Sequence, residues 1–531
     1  MVRLLRLVLP ALLSIWMLVY TVELGKRIVD SYIRLPMYDY WEIVPHLDGY
    51  RQFPPAILWQ QHYEHRIVFP EAVFAMDWLF FKGREVLPLL LGALLDLAVW
   101  GIFGLAFSRR PQGLDPPSWC ALFLCGIVMF WPGMAVVLAT PFLLQFVLFQ
   151  FVVIVSLLAL ARRRVFLAIA FAIAATFTSA NGLFLWPILA AMALVLEFKQ
   201  REAVTIVVAS AISTAIFFHG YHNLGNFNLP SMWKHPAKFL GYFLSYLGMP
   251  LGAGRTAIAL GVGAGSILLF VSACYLAWRN RLLKEPFFLV PAGVVAITFA
   301  TGLATSFSRV PMDWPFVRAV ETPGRYINFG AHYWAALIVL TIAVLSAMGR
   351  RAQWGAAATF TVLLATTLAQ GGPWIHDWMN QYALGQSATL ALESGLSKDQ
   401  AAQTLNFTDV GLVKRSLVEL ERRHLAMYSW DDYKQLGKPF RKADATKAAP
   451  SAQITSVIAV PGGFEIVGWL RERPRRLFLV DRAGTVIGFG AHDGAGLPIG
   501  VPAPRGHEPD FFLAYAGTAF NQSQVRLFVI D

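Results

Sequence analysis

Apolar stretches recur through the first 371 residues and match a template of about 20 mostly apolar residues per bilayer crossing. They fall near 4–24, 86–106, 118–138, 141–161, 165–179, 182–198, 203–219, 255–278, 286–306, 331–348 and 353–371, which predicts eleven membrane-spanning helices. Pro132 and Thr140-Pro141 interrupt the run 118–161, and only Asn181-Gly182 interrupts 165–198. After Gln370-Gly371-Gly372-Pro373 the pattern changes. Residues 373–445 are polar, with a helical spacing of apolar positions over about 397–425, and Lys442 to Pro450 read as a linker. From Ala452 onward, short runs of β character alternate with turns rich in Gly, Pro and Asp. The runs are Ile454–Val460, Phe464–Leu470, Leu477–Val480, Val486–Phe489, Phe511–Tyr515 and Val525–Ile530. The expected fold is an α-helical polytopic membrane module over 1–372, a helical and linker segment over 373–450, and a small all-β sandwich or barrel over 451–531.

Charge sharpens the topology. Short basic clusters at Arg3/Arg6, Arg109/Arg110, Arg162-Arg163-Arg164, Lys199/Arg201, Arg279/Arg281/Lys284 and Arg350/Arg351 alternate with the apolar stretches. With a cytoplasmic N-terminus and eleven crossings, all six fall on one side, as the positive-inside rule requires. The long loops 25–85, 220–254 and 307–330 and the C-terminal domain then lie outside. The start Met1-Val-Arg-Leu-Leu-Arg6 reads as an uncleaved signal anchor. The lack of a disulfide framework and of targeting signals fits a bacterial inner membrane.

Composition agrees: 56% of the 531 residues are hydrophobic, 14% are charged and the mean hydropathy is +0.54. The net charge of +12 would point to nucleic acid in a soluble chain. Here the basic residues follow the topology, so the expected partners are membrane lipids and not nucleic acid. Cys120, Cys125 and Cys274 all lie in apolar stretches, which argues against a disulfide framework.

The candidate chemistry sits in the loops. Gly25 to Glu85 is long, aromatic and rich in ionisable groups, a combination that marks a functional segment. Within it, Met37-Tyr-Asp-Tyr-Trp-Glu42 offers Asp39 and Glu42 as a general base or a metal ligand; an interfacial aromatic belt with solvated acids is the plainer alternative. In Trp59 to Pro70, helical spacing would put His62, His65 and Arg66 on one face, with Glu64 directed elsewhere. His65 and Arg66 suit a phosphate, whereas a salt-bridged structural corner is the competing account. The pattern is not His-Glu-x-x-His, so zinc-protease chemistry has little support. Further on, Arg309, Arg318 and Arg325 border spans and can clamp a lipid phosphate, or simply snorkel.

Together these features resemble the multi-span glycosyltransferase class known as GT-C. The matching features are the acidic Asp39/Glu42 motif early in the first external loop, the Glu64-His65-Arg66 segment, the Asn181-Gly182-Leu183 turn, the Gly324-Arg325-Tyr326 loop, the span count and the external C-terminal domain. The resemblance covers about residues 1–372. It implies transfer of a sugar from a polyprenyl-phosphate-linked donor to a glycan or glycolipid acceptor of the cell envelope, on the external face. Asp39, with Glu42, would be catalytic. Glu64, His65, Arg66, Arg309, Arg325 and Tyr326 would bind substrate. No cofactor is required, although a divalent cation is compatible. One departure is that Asp39 and Glu42 are not adjacent but separated by Tyr40 and Trp41. Two other readings stay open: a transporter or flippase for a lipid-linked sugar, favoured by Asp96 in mid-span, and a non-catalytic envelope scaffold.

Overall fold

The computed structural model describes residues 2–52, 55–108, 115–222, 229–310, 324–396, 409–440, 447–448, 453–470, 476–492 and 510–530 save 519 and 523, together with 399, 402 and 405. Arg109, Arg110, Asp313, Arg318 and Glu321 therefore lie outside the described residues. The chain folds into two compact units. Unit 1 comprises Met1–Ile28, Pro54–Val73 and Pro88–Ile375; unit 2 comprises Val29–Phe53, Phe74–Leu87 and His376–Asp531.

Unit 1 is helical. Its helices are α1 (Val2–Asp30), α2 (Val68–Phe80), α3 (Val86–Ser108), α4 (Pro116–Met129), α5 (Leu144–Ala161), α6 (Val165–Thr176), α7 (Leu185–Val195), α8 (Gln200–Phe218), α9 (Pro236–Gly248), α10 (Thr256–Arg279), α11 (Pro286–Arg309), α12 (Ile327–Val344) and α13 (Arg350–Leu368), the first three of them extending past its limits. Among the described residues eight helices are long and apolar enough to cross a membrane. The number is nine if Pro116–Met129 and Pro132–Leu138, bent by 44°, form one crossing. The remaining two expected spans are apolar helices of 12 and 11 residues, α6 and α7. At about 1.5 Å per residue α6 reaches roughly 18 Å, and α7 with the 3₁₀ turn Ala180–Phe184 that leads into it roughly 25 Å, both less than the hydrocarbon core. They are cut short at Ser179, whose backbone is extended (φ −158°) and whose hydroxyl accepts the Asn181 N–H at 3.4 Å.

The centre of unit 1 is α12, with all eighteen residues buried. The outer helices expose apolar side chains such as Val207, Val208 and Ile212 on α8, or Leu268 and Val271 on α10, as lipid-facing helices do. Small residues bring α9 and α10 close. A Cβ on Gly263 would meet the Leu244 carbonyl, and one on Gly248 would meet the Ala259 carbonyl. Packing rather than apolar burial drives association in lipid. Gly263→Ala is therefore expected to lower stability by about 1–3 kcal/mol, measured as the thermal midpoint of the protein in nanodiscs.

The ends of unit 1 differ. At one end Arg163 donates to the Leu196 carbonyl (2.7 Å), its guanidinium lies 5.1 Å from the Phe198 ring, and Lys284 pairs with Glu197 (2.6 Å). Three of the basic loops expected on one face thus converge. The opposite helix ends carry Phe142, Ala180, His219, Arg309 and Tyr326.

Unit 2 is built from two pieces of the first loop and the C-terminal region. Its helices are α14 (Gly372–Glu393), most of which it holds, and α15 (Val410–Arg423) within the stretch where helical spacing was read. Its strands are β3 (Lys447–Ala448), β4 (Gln453–Val460), β5 (Gly463–Leu470), β6 (Arg476–Val480), β7 (Val486–His492), β8 (Asp510–Gly517) and β9 (Arg526–Ile530), numbered after β1 (Gln61–His62) and β2 (His65–Arg66), a short hairpin in unit 1. They make one antiparallel sheet in the order β3-β9-β6-β7-β8-β5-β4, half of a barrel rather than a sandwich. Alternation explains how it is covered. Leu477, Leu479, Phe512 and Ala514 pack on one face, while Phe478, Val480, Phe489 and Tyr515 pack on the other against Leu390, Leu396, Leu436 and Phe440.

Four charges bind unit 2 internally. The Arg34 guanidinium contacts Asp432 (2.7 Å) and Glu393 (3.4 Å), and Arg476 contacts the same two carboxylates (3.1 and 2.7 Å). Trp430 receives Arg34 on its ring at 4.3 Å and Arg84 at 4.6 Å.

Candidate functional site

The site in unit 1 begins with a hairpin where sequence spacing predicted a helix. β1 (Gln61–His62) and β2 (His65–Arg66) pair antiparallel, with His62 opposite His65 and Gln61 opposite Arg66. Tyr63 takes the left-handed φ of +50° that the two-residue turn needs. His62, His65 and Arg66 therefore do not share a helix face. Gln61 fastens the hairpin to the segment after α8: its amide donates to the His222 carbonyl (2.8 Å) and its carbonyl accepts the His222 N–H (2.9 Å).

Arg66 is committed to backbone. Its Nε, Nη1 and Nη2 donate to the carbonyls of Phe217 (2.7 Å), Trp59 (2.6 Å) and His219 (2.6 Å), and the guanidinium sits 4.5 Å from the Trp59 ring centroid. Phe217 and His219 close α8, where carbonyls are left over and a cation is favoured. Of the two readings the sequence left open for this arginine, these contacts are those of a structural corner.

His65 lies half-buried beside the arginines that border the spans. Its Nδ1 accepts the Ala180 N–H at 3.1 Å, so the ring hydrogen sits on Nε2. Burial pushes the imidazole down to about 4. The neighbouring His62, Arg309 and Arg325 act in the same direction, and Glu64 opposes them. His65 is thus a neutral N–H donor near pH 7, not the charged one that the sequence pattern invited. Because the folded value lies below the ordinary 6.5, its stabilising contribution is complete above pH 6.5 and fades as pH falls towards 4. His65→Asn keeps an acceptor for Ala180 without a titrating ring. In chemical unfolding between pH 7 and 4 it should flatten part of the wild-type decline, whereas His65→Ala should cost about 1–3 kcal/mol at pH 7 by leaving that N–H unpaired.

Arg309 ends α11, and Arg325 and Tyr326 form the 3₁₀ turn Gly324–Tyr326 that opens α12. The Arg309 Nε donates to the Tyr326 hydroxyl at 3.1 Å, and the Arg325 guanidinium lies 5.4 Å from the Tyr326 ring. Burial alone would raise the Tyr326 phenol, but Arg325 and Arg309 together hold it below the usual tyrosine range. Glu64 acts on Tyr326 and on His65, so the group carries two guanidinia against one carboxylate. Tyr246, from α9, brings its ring to 6.0 Å from Tyr326, and burial raises the phenols of Tyr242 and Tyr246. This arrangement suits an anion with several oxygens: paired arginine forks, a neutral imidazole N–H and phenols in a partly dehydrated setting. Glu64, His65, Arg309, Arg325 and Tyr326 come together here. Ala180, Tyr242 and Tyr246 were not foreseen, because a backbone N–H and aromatic helix positions carry no signal of their own in sequence.

Asp39 and Glu42 belong to unit 2, on the 3₁₀ helix Tyr38–His46. With three residues per turn, positions 39 and 42 lie one above the other. Tyr40, Trp41, Ile43 and Val44 are buried on the remaining faces, with Tyr40 against Phe74 at 5.1 Å and Trp78 at 6.2 Å. Asp39 and Glu42, separated in sequence and both half-buried, therefore lie on one side of this helix. Among the described residues no three His, Cys, Asp or Glu side chains are grouped so as to hold a metal ion. Comparison with protein-family models, with curated proteins and with solved structures finds no match.

Proposed function

We propose that the chain is an integral membrane glycosyltransferase. It would move a sugar from a polyprenyl-phosphate-linked donor to a glycan or lipid acceptor of the cell envelope, outside a bacterial inner membrane and with the chain crossing about eleven times. The observation that carries this reading is the pairing of Arg309 and Arg325 around Tyr326, beside the neutral His65, at the helix ends of unit 1 away from the converging basic loops. In an inverting transfer the acceptor hydroxyl loses its proton to a carboxylate and its oxygen attacks the anomeric carbon. The bond from that carbon to the phosphate oxygen breaks, and the phosphate leaves with the bonding electrons. Arginine forks oppose the charge that develops on it. Asp39 is assigned the base's role and Glu42 supports it as the neighbouring carboxylate. A divalent cation is compatible but not required, since guanidinia can carry the phosphate charge.

The test is mass spectrometry of envelope glycans and glycolipids in a strain lacking the gene, complemented with wild type or with Asp39→Asn. Wild type is expected to restore a missing sugar, and a stably expressed Asp39→Asn is not. Equal restoration removes Asp39 as the base; an unchanged profile in the deletion strain removes the transferase reading.

A further inference from the structure

Asp96 is the residue that most favours a transporter, and its surroundings lead elsewhere. It lies in the middle of the apolar stretch Val86–Ala106, and its side chain is 1% exposed. His332, on the buried α12 and equally enclosed, places Nε2 3.2 Å from Asp96 Oδ1. The other ring nitrogen, Nδ1, lies 2.8 Å from the Asn328 carbonyl. A carbonyl has no hydrogen to give, so Nδ1 must carry one. The nitrogen facing the carboxylate is then either bare or protonated. A bare nitrogen against an ionised carboxylate would press two acceptors together in hydrocarbon and leave a net charge there, which is costly. One proton between them removes both problems, whether written as imidazolium with carboxylate or as imidazole with carboxylic acid.

We propose that Asp96 and His332 share a single proton inside the apolar layer, as a net-neutral bridge from α3 to α12 that positions Arg325 and Tyr326 at the start of α12. Neither Asp96 oxygen nor His332 Nε2 has a hydrogen-bond partner among the described residues, so each of these buried atoms faces only the other group at ion-pair distance. His332 Nδ1 is tied to its own helix. The proton therefore has no onward acceptor and is held rather than passed on. The bridge stands apart from the transferase reading; only its effect on Arg325 and Tyr326 rests on that reading.

The experiment compares melting of the full chain in nanodiscs for wild type, Asp96→Asn, Asp96→Ala, His332→Ala and the Ala/Ala double variant. Asp96→Asn should melt within about 2 °C of wild type, because its amide can donate to Nε2 in the same place. Each alanine variant should melt roughly 5 °C lower, by loss of one partner of a buried pair. The double variant should lose clearly less than the sum. Additive losses, or an Asp96→Asn as damaged as Asp96→Ala, overturn the shared proton. Sugar transfer by the same samples supplies the second readout. Retained transfer in Asp96→Asn supports a held proton, and normal melting with abolished transfer overturns it, since the proton would then have to move. Melting is read without substrate, so a wild type that transfers no sugar sinks the transferase reading and leaves the bridge to its own result.

Discussion

On the proposed transferase reading, exchanging Arg325 for glutamine is expected to lower sugar transfer about 10²–10³-fold, and Arg309→Gln to do the same, as when a donor aimed at developing charge is lost. Glutamine keeps a neutral hydrogen-bonding amide but is shorter, so the loss reports the guanidinium's charge and reach together. Both arginines act on Tyr326, and Arg309 also bonds to it. Either change should therefore let the Tyr326 phenol rise, because burial is left with less to oppose it. The loss should fall on kcat more than on KM, since the phosphate gains charge only as the sugar leaves. Lysine at either position retains the charge without the planar fork and should recover part of the rate. The measurement is single-turnover transfer from a defined lipid-phosphate sugar in nanodiscs. Wild-type rates in both glutamine variants would remove these arginines from the donor site. Arg66 serves as the contrast: with three carbonyls on its guanidinium, its replacement should reduce folded yield rather than the rate per folded molecule.

Removing Glu393 destabilises unit 2 by about 3–5 kcal/mol, the range found when one member of a buried ion pair is deleted. Its side chain is fully buried, and it faces both Arg34 and Arg476. Glu393→Ala leaves two enclosed guanidinia sharing Asp432 alone. Limited proteolysis of the full chain should then cut within 376–531 much faster than in wild type. The double change Glu393→Leu with Arg476→Met removes charge of both signs and should restore much of the resistance. Acid tests the same lattice from the other side. Burial would raise Asp432, but Arg476 and Arg34 hold it below the usual carboxylate value. Its contribution is therefore complete above the ordinary aspartate range and is lost as pH falls through the depressed value. Unchanged proteolysis of Glu393→Ala would show that the sheet holds unit 2 without these charges.

The sequence carried the apolar segments and the β runs well, because length and alternation are properties of the chain itself. All eleven apolar stretches became helices, yet α6 and α7 stop short of a bilayer's depth, since a window of hydropathy does not register the extended backbone at Ser179. Trp59 to Pro70 was read with a period of 3.6 and folds as a hairpin; a two-residue turn with Tyr63 left-handed is not signalled by tyrosine. At 38–46 nothing in the sequence signalled the 3₁₀ turn, which puts Asp39 and Glu42 on one side of the helix although Tyr40 and Trp41 separate them in sequence. A structural corner was one of two readings of Arg66, but its partners were out of reach of the pattern, because two of the three carbonyls it binds lie about 150 residues away. That Arg309 and Arg325 border helices was legible, because a cation beside an apolar stretch is a local feature.

The interleaved make-up of unit 2 has a consequence for biosynthesis. Arg34 leaves the ribosome early, but its partners Glu393 and Asp432 follow 359 and 398 residues later. At about 5–20 residues per second the first of them arrives roughly 20–70 s afterwards. Through that interval Arg34 waits without these carboxylates, although Tyr40 already has Phe74 and Trp78 within reach. The nascent chain therefore has a long window in which proteases and chaperones meet an incompletely paired first loop, and that window narrows once Glu393 and Asp432 have been made.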